Sequence, residues 1–312
     1  MRKIIFSQHQ SAGDILTLTR SVNDFARAYP DIKIDVRTPC PAIWENNPYL
    51  TPLNEKDMAV EYYGIVYGRN GKGIHSCEKD ARHWQEAYHD DIAELTGLEF
   101  ERTGITPELF LSKDEKIWVN QVAVEFGWQG PFWLINGGWK PDNELKKYHR
   151  WQEVADLFND HFRGSVRLVQ IGHSNETHPP LDGVYSLVGK TDLRQLIRLC
   201  YWAHGTIGPL SFQFVLSAAY KQPHVVLAAG KEGVRWHLYP FGRYMYTNGA
   251  LTCCPSGGCW RGGVHGNCLD LMPGGYPRCY DLIKPYQIID NVAMYYEGGV
   301  LNTGKTKMGW PC

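Results

Sequence analysis

Neither sign of charge dominates this chain. Its 312 residues hold 32 lysines and arginines against 33 aspartates and glutamates, a formal net charge of −1. A general polyelectrolyte binder carries a basic excess, so any nucleic-acid contact must be confined to a local patch. Also missing is any apolar run near the ~18 residues that a transmembrane segment needs. The apolar stretch within Met1–Asp14 is too short for a signal h-region and reads as a first strand, so we expect a cytoplasmic protein. No sequence period of about 20–50 residues recurs, and no low-complexity tract interrupts the chain. With 43% hydrophobic and 21% charged residues the balance is that of a globular protein, which excludes a disordered or collagen-like chain. At roughly 150 residues per domain, the length implies about two domains.

The first part of the chain alternates strand and helix. Arg2–Ser7 is a short apolar run, followed by the polar, glycine-containing loop Gln8–Asp14. Ile15, Leu18, Val22, Phe25 and Ala26 then recur at helical spacing over Ile15–Ala28. Ile32–Arg37 alternates as a strand does, which completes the β-loop-α-β opening of a parallel sheet. Tyr62–Tyr67 reads as another strand. Lys79–Leu95 reads as a helix stopped by Gly97, and Asp114–Phe126 as a helix ending near Gly127. The glycine-, proline- and tryptophan-rich stretch Gly127–Pro131 is the expected domain boundary. Beyond it the pattern restarts, with strands at Phe132–Asn136, Val166–Ile171, Val184–Val188, Thr206–Ile207 and His224–Ala228. The helices expected between them are Trp151–Phe162, Thr191–Ala203 with Thr191 as its cap, and Ser211–Tyr220. The expectation is an α/β protein in which two doubly wound, Rossmann-like domains face a cleft, with ligand at the carboxyl ends of the strands. Their ranges are 1–127, then 128–284 including a cysteine-rich segment 250–282, with a closing helix (Pro285–Tyr296) and tail over 285–312.

Gly13-Asp14-Ile15-Leu16 with Thr19 and Pro30, followed by Asn47-Pro48-Tyr49-Leu50, resembles the N-terminal half of glycosyltransferase family 9, which includes the ADP-heptose:lipopolysaccharide heptosyltransferases. Leu187-Val188-Gly189-Lys190-Thr191-Asp192-Leu193-Arg194 is similar to that family's L-x-G-K-T-x-L segment. Ala218-Ala219 with Pro223 resembles its H-L-A-A-A-x-x-x-P helix. The likeness covers roughly residues 4–240 and rests on the order and spacing of motifs. It implies the GT-B fold, a nucleotide-sugar donor and an inverting transfer. One motif departs: where the family has D-S-G-x-x-H, this chain has Leu210-Ser211-Phe212-Gln213-Phe214-Val215, which puts heptose as the sugar in doubt.

Glycosyl transfer needs a base for the acceptor hydroxyl. In the resembled family the aspartate of the Gly-Asp pair is the proposed base, and Asp14 matches it; a helix cap is the plainer reading of the same residue. Gln8, His9 and Gln10 on the same loop, with His75 and His83, are candidate acceptor-side residues. The departing diphosphate must be stabilised, yet no two aspartates are separated by one residue, so the usual metal-binding pair is missing and no catalytic metal is expected. A helix N-terminus is the alternative anion site, which selects Ser211, Phe212 and Gln213. Gly137 and Gly138, directly after the second domain's first strand, are further donor-side candidates. Lys147 best fits the spacing of the family's phosphate-contacting lysine, ahead of its neighbour Lys146. Glu232 follows a strand end, where a carboxylate accepts ribose hydroxyls. Trp236 and His237 either flank the nucleobase or pack, and His173, Asn175 and His178 read as rim residues.

Of nine cysteines, five fall between Cys253 and Cys279. Thiolates closely spaced on glycine-rich turns suit a tetrahedral metal, because such a segment has no apolar core of its own. Cys254, Cys259, Cys268 and Cys279 are the expected ligands, with Cys253 spare. Zinc is the default, and disulfides are the alternative. The segment is similar in type to the iron-binding finger of the autotransporter heptosyltransferase branch, so a structural zinc or iron is expected. The acceptor is open among glycan, protein and DNA, the last because phage DNA transferases share GT-B architecture. Arg261, His265, Arg278 and Lys284 would form the DNA-contacting set. The competing class is a non-catalytic nucleotide- or glycan-binding module on the same fold.

Overall fold

The alternation of strand and helix is present in the structure, a computed structural model that describes residues 1–66, 82–140, 144–261 and 267–297. The chain divides into two units. The first holds Met1–Lys116 together with the short segment Arg235–Tyr239; the second holds Ile117–Val234 and the chain from Pro240 onward.

In the first unit β1 (Lys3–Ser7), α1 (Ala12–Ala28), β2 (Lys33–Arg37), β3 (Val60–Gly64), α2 (Trp84–Thr96) and α3 (Lys113–Lys116) follow in order. The sheet runs β2-β1-β3, all parallel, with Ile4 opposite Ile34 and Glu61. β1 is buried because Ile4, Ile5 and Phe6 all lie in the core, as expected for a central parallel strand covered on both faces. α1 buries its predicted apolar face, and also Thr17, Thr19, Asn23 and Asp24. The Asp24 carboxylate is satisfied by Arg20, Arg27 and Thr103, as a buried charge must be. α1 begins at Ala12 with Ser11 as N-cap, so Asp14 lies in the helix's first turn and not in the preceding loop. α2 begins at Trp84, later than the expected Lys79, because His83 caps it and Glu86 completes the capping box.

The second unit comprises α4 (Gln121–Phe126), β4 (Phe132–Ile135), α5 (Trp151–Phe162), β5 (Arg167–Gln170), β6 (Tyr185–Ser186), α6 (Leu193–Trp202), β7 (Gly205–Pro209), α7 (Phe212–Ala219), β8 (His224–Ala229), β9 (Gly242–Tyr246), β10 (Leu271–Met272), β11 (Tyr276–Pro277), α8 (Arg278–Asp281) and α9 (Pro285–Ala293). Its main sheet is ordered β6-β5-β4-β7-β8-β9 and parallel throughout. That is the doubly wound order, whose direction of growth reverses between β4 and β7. α5 and α9 pack on the sheet through Trp151, Phe158, Ile288 and Val292, so the closing helix is part of this unit's core.

Other boundaries also differ from the sequence-based ones. The helix expected over Asp114–Phe126 is two helices, because Asn120 accepts from the Ala123 N–H and caps a new start. The division between the units falls at Lys116 and not near Gly127. Trp118 lies against the Arg198 guanidinium, and Phe126 stacks on Tyr185 with ring centroids 4.4 Å apart; these contacts carry α4 into the second unit. α6 is capped by Asp192, paired reciprocally with Gln195, in place of Thr191. No helix among the described residues is long and apolar enough to cross a membrane.

Candidate functional site

In the second unit the polar groups gather where the sheet's order reverses. Asn136 follows β4 and turns its amide two ways: its Oδ1 accepts from the Gly138 N–H at 3.0 Å, and its Nδ2 faces Ser211 Oγ and Gln213 Oε1 at 3.4 Å. Ser211 is the N-cap of α7 in extended backbone, and its side chain makes no capping bond. Gln213 is buried and donates to the Pro209 carbonyl at 2.7 Å. Lys146, at the end of the 3-10 turn Glu144–Lys146, donates to the Leu210 carbonyl at 2.7 Å and lies 3.2 Å from Glu232 Oε1. Glu232 follows β8 and is only 8% exposed, so this ion pair offsets a real desolvation cost.

The lysine that meets Glu232 is Lys146. Lys147, favoured by spacing, sits over the Trp139 ring at 5.1 Å. Phe212 opens α7 half-buried. Gly137 and Gly138 are needed for close packing: a Cβ at Gly137 would come 3.2 Å from the Trp151 ring, and one at Gly138 would run into the His178 ring. His178 Nε2 lies 3.5 Å from Glu176 Oε2, and this neighbour holds the Glu176 carboxyl below its ordinary range. His173 and Asn175 are exposed. Asn136 was not singled out in the sequence; its signal was a polar residue ending an apolar strand directly before two glycines.

In the first unit Asp14 is half-buried in the first turn of α1, where the helix N-terminus favours the ionised carboxylate. Gln8 and Gln10 are joined through Tyr88: Gln8 Nε2 donates to the Tyr88 hydroxyl and to Gln10 Oε1, which also accepts from Tyr88 at 3.1 Å. His9 is exposed. His83 is buried, its Nδ1 accepts from the Gln85 N–H, and burial with the neighbouring His237 pushes its pKa down to about 3. Its role in the structure is therefore that of a neutral cap. Trp236 and His237 pack against Trp84 with ring centroids 6.2 and 4.6 Å away. The candidate at His75 lies outside the described residues.

All five clustered cysteines line one pocket, together with Lys231 and Arg261. They are free thiols, and burial raises the pKa of Cys254, Cys268 and Cys279. Among the described residues no group of three or more Cys, His, Asp or Glu side chains is arranged to hold a metal ion. The segment also differs from the coreless finger expected. Cys254 and Cys279 belong to the unit's hydrophobic core, and the chain is hydrogen-bonded to the β8 end, Cys259 N–H to Gly230 and Trp260 N–H to Lys231. Gly230 and Gly258 make this approach feasible: a Cβ at either would come within 2.7 Å of its neighbour, Cys254 Sγ or the Lys231 carbonyl. In the basic set, Arg278 is paired with Asp270 and Lys284 with Asp281; Arg261 donates to the Asn267 carbonyl, and His265 lies outside the described residues.

No protein-family model matches this chain, and no curated protein matches it. Solved structures do. A family 9 glycosyl transferase from Veillonella parvula is 12% identical with a TM-score of 0.67, covering 94% of this chain and 96% of the other. The iron-containing dodecameric heptosyltransferase TibC, solved with ADP-D-beta-D-heptose, is 14% identical with a TM-score of 0.67 over 96% of this chain and 77% of its own; its source is enterotoxigenic E. coli. ADP-heptose lps heptosyltransferase II of E. coli is 14% identical with a TM-score of 0.58 over 96% of this chain and 100% of its own. At these identities the likeness is one of architecture: the chain has the α/β, parallel-sheet fold of GT-B glycosyltransferases such as these.

Proposed function

We propose that this chain is a glycosyltransferase that moves a sugar from a nucleotide-sugar donor to an acceptor hydroxyl, with inversion and without a catalytic metal. The observation that carries this reading is the gathering of Asn136, Lys146, Ser211 and Glu232 at the reversal point of the second unit's sheet, where doubly wound folds bind nucleotides. The donor diphosphate would lie against the N-terminus of α7, whose backbone N–H groups and dipole favour an anion, with the Lys146 ammonium nearby. Glu232 would accept the ribose hydroxyls. The fold's likeness to heptosyltransferase structures, one of them holding ADP-heptose, supports a donor of this class.

Asp14 would act as the base. The acceptor oxygen bonds to the anomeric carbon as the bond from that carbon to the diphosphate oxygen breaks. The electron pair leaves with the nucleoside diphosphate, and the hydroxyl proton passes to the Asp14 carboxylate. A single displacement of this kind inverts the anomeric centre. Leu210 and Val215 are buried in the second unit where the resembled family has an aspartate and a histidine, so we assign the sugar contacts to Asn136 and Ser211. The pairing of Arg278 and Lys284 with carboxylates disfavours DNA as the acceptor.

The same reading gives the cysteine pocket a structural zinc or iron, held by Cys254, Cys259, Cys268 and Cys279. Its donors are soft thiols on closely spaced turns, which fit either metal. Bound there, such an ion would cross-link the turns, leaving no position open for catalysis.

A panel of nucleotides and nucleotide sugars in thermal shift identifies the donor, since a ligand of the folded state raises its stability. Slow hydrolysis of that donor should then fall by about 10²–10⁴-fold in Asp14→Asn, the range a general base contributes. Wild type and variant equally inert, with the donor still bound, would show a binding module in place of an enzyme.

A further inference from the structure

Tyr239 lies far downstream in sequence of the residues it packs with. It closes the segment Arg235–Tyr239, which belongs with the first unit although the residues on both sides belong with the second. Its ring is buried, and His83 meets it edge-on with centroids 4.8 Å apart. Its hydroxyl is hydrogen-bonded to Trp84 Nε1 at 2.7 Å and Thr17 Oγ1 at 3.0 Å. Thr17 Oγ1 in turn donates to the Gly13 carbonyl at 3.0 Å.

Counting protons orients this set. An indole nitrogen only donates, so the Tyr239 oxygen accepts from Trp84. The single proton of the Thr17 hydroxyl is committed to Gly13, so the bond between the two hydroxyls runs from Tyr239 to Thr17. The result is a one-way chain: Trp84 N–H to Tyr239 O–H, to Thr17 O–H, to the Gly13 carbonyl. That carbonyl belongs to the peptide group whose nitrogen is Asp14's. The Ser11 side chain makes no capping hydrogen bond to α1, so this chain ties down the turn that carries Asp14 where a capping side chain does not. Burial and the Asp14 charge both raise the Tyr239 phenol far above its ordinary range, which keeps the proton on this oxygen at any working pH.

We propose that Tyr239 is a positioning residue for the base: through Thr17 it fixes the Gly13–Asp14 peptide and with it the direction of the Asp14 carboxylate. This rests on the reading of Asp14 as base given above. A hydrogen-bonded chain of this kind acts as a unit, so its links are non-additive.

The test uses the full chain and the ADP-, UDP- or GDP-linked sugar that wild type hydrolyses fastest. Tyr239→Phe keeps the ring and removes only the oxygen. Thr17→Val breaks the next link at nearly constant shape, and Thr17→Ser restores the hydroxyl. The expected result is a roughly tenfold fall in kcat with donor KM unchanged for both Tyr239→Phe and Thr17→Val. Thr17→Ser should be near wild type, and the double variant no worse than either single one. Folded Tyr239→Phe and Thr17→Val with kcat within twofold of wild type, or effects that add in the double variant, would overturn the proposal. Asp14→Asn run alongside separates the two readings. If it is inactive while Tyr239→Phe is fully active, only the positioning role fails; if it equals wild type, or wild type hydrolyses no donor, the base reading fails and this proposal with it.

Discussion

Lys146 and Lys147 are neighbours in sequence and part company in the fold. One meets Glu232 and the Leu210 carbonyl, the other a tryptophan face. Spacing favoured the second because a 3-10 turn, which decides which lysine points inward, leaves no periodic trace in a stretch this short. We expect Lys146→Ala to weaken nucleotide binding at least tenfold and to lower stability, because it removes the Lys146 ion pair from a largely buried carboxylate. Lys147→Ala should change affinity less than threefold. Calorimetric titration with the nucleotide chosen by the thermal-shift panel checks both, and equal losses would remove Lys146 from the site. Asp14 and Glu232 were legible as candidates because each stands at an element end, where chemistry collects in this architecture. His83, an acceptor-side candidate by sequence, is found as the buried cap of α2. A histidine before a tryptophan looks the same in sequence whether it caps a helix or faces a ligand, and only burial separates the two.

At the scale of elements, strands were legible wherever an apolar run stood between glycine-rich loops. α5 appears with its expected bounds, Trp151–Phe162, because its apolar period is uninterrupted. The interrupted helix at Asn120 and the inclusion of α4 in the second unit were not legible. The contacts that decide the latter, Trp118 with Arg198 and Phe126 with Tyr185, join residues far apart in sequence. The cysteine segment is the most consequential case. Its spacing announced a cluster, and the five thiols do line one pocket, but spacing could not show that Cys259 and Trp260 are hydrogen-bonded to the Gly230–Lys231 loop. Glu232 is the next residue. Stripping a metal from this pocket with a strong chelator should therefore lower the melting temperature and also weaken nucleotide binding. An unchanged melting curve would count against a structural metal. Gly230→Ala should act on the same loop without any metal chemistry, destabilising by about 1–3 kcal/mol through overpacking against Cys254. Urea unfolding reads that difference directly.

For the whole molecule, acid sensitivity follows from two histidines, one in each unit. Burial, and His237 beside it, hold His83 at about 3; burial holds His224 at about 4, although its bond to the Gln222 carbonyl works in the opposite direction. Both start from an ordinary value of 6.5. A depressed histidine takes up its proton more readily in the unfolded chain, so its contribution to stability is complete above pH ~6.5 and drains away as the pH falls toward the folded value. Each should contribute a slope of about 1.4 kcal/mol per pH unit in that window. Unfolding free energy measured between pH 6.5 and 5 should fall with a combined slope near twice that, and His224→Gln should halve it. A flat profile over the same range would contradict the burial of both rings.

The excursion of Arg235–Tyr239 has a practical corollary for anyone dissecting the molecule. No single cut yields the first unit whole, because one of its buried aromatic side chains is encoded more than a hundred residues downstream of the rest. A fragment ending at Lys116 would leave the Trp84 indole and the Thr17 hydroxyl without the phenol that joins them. Such a fragment should be prone to aggregation, and a synthetic peptide spanning the missing stretch should rescue it.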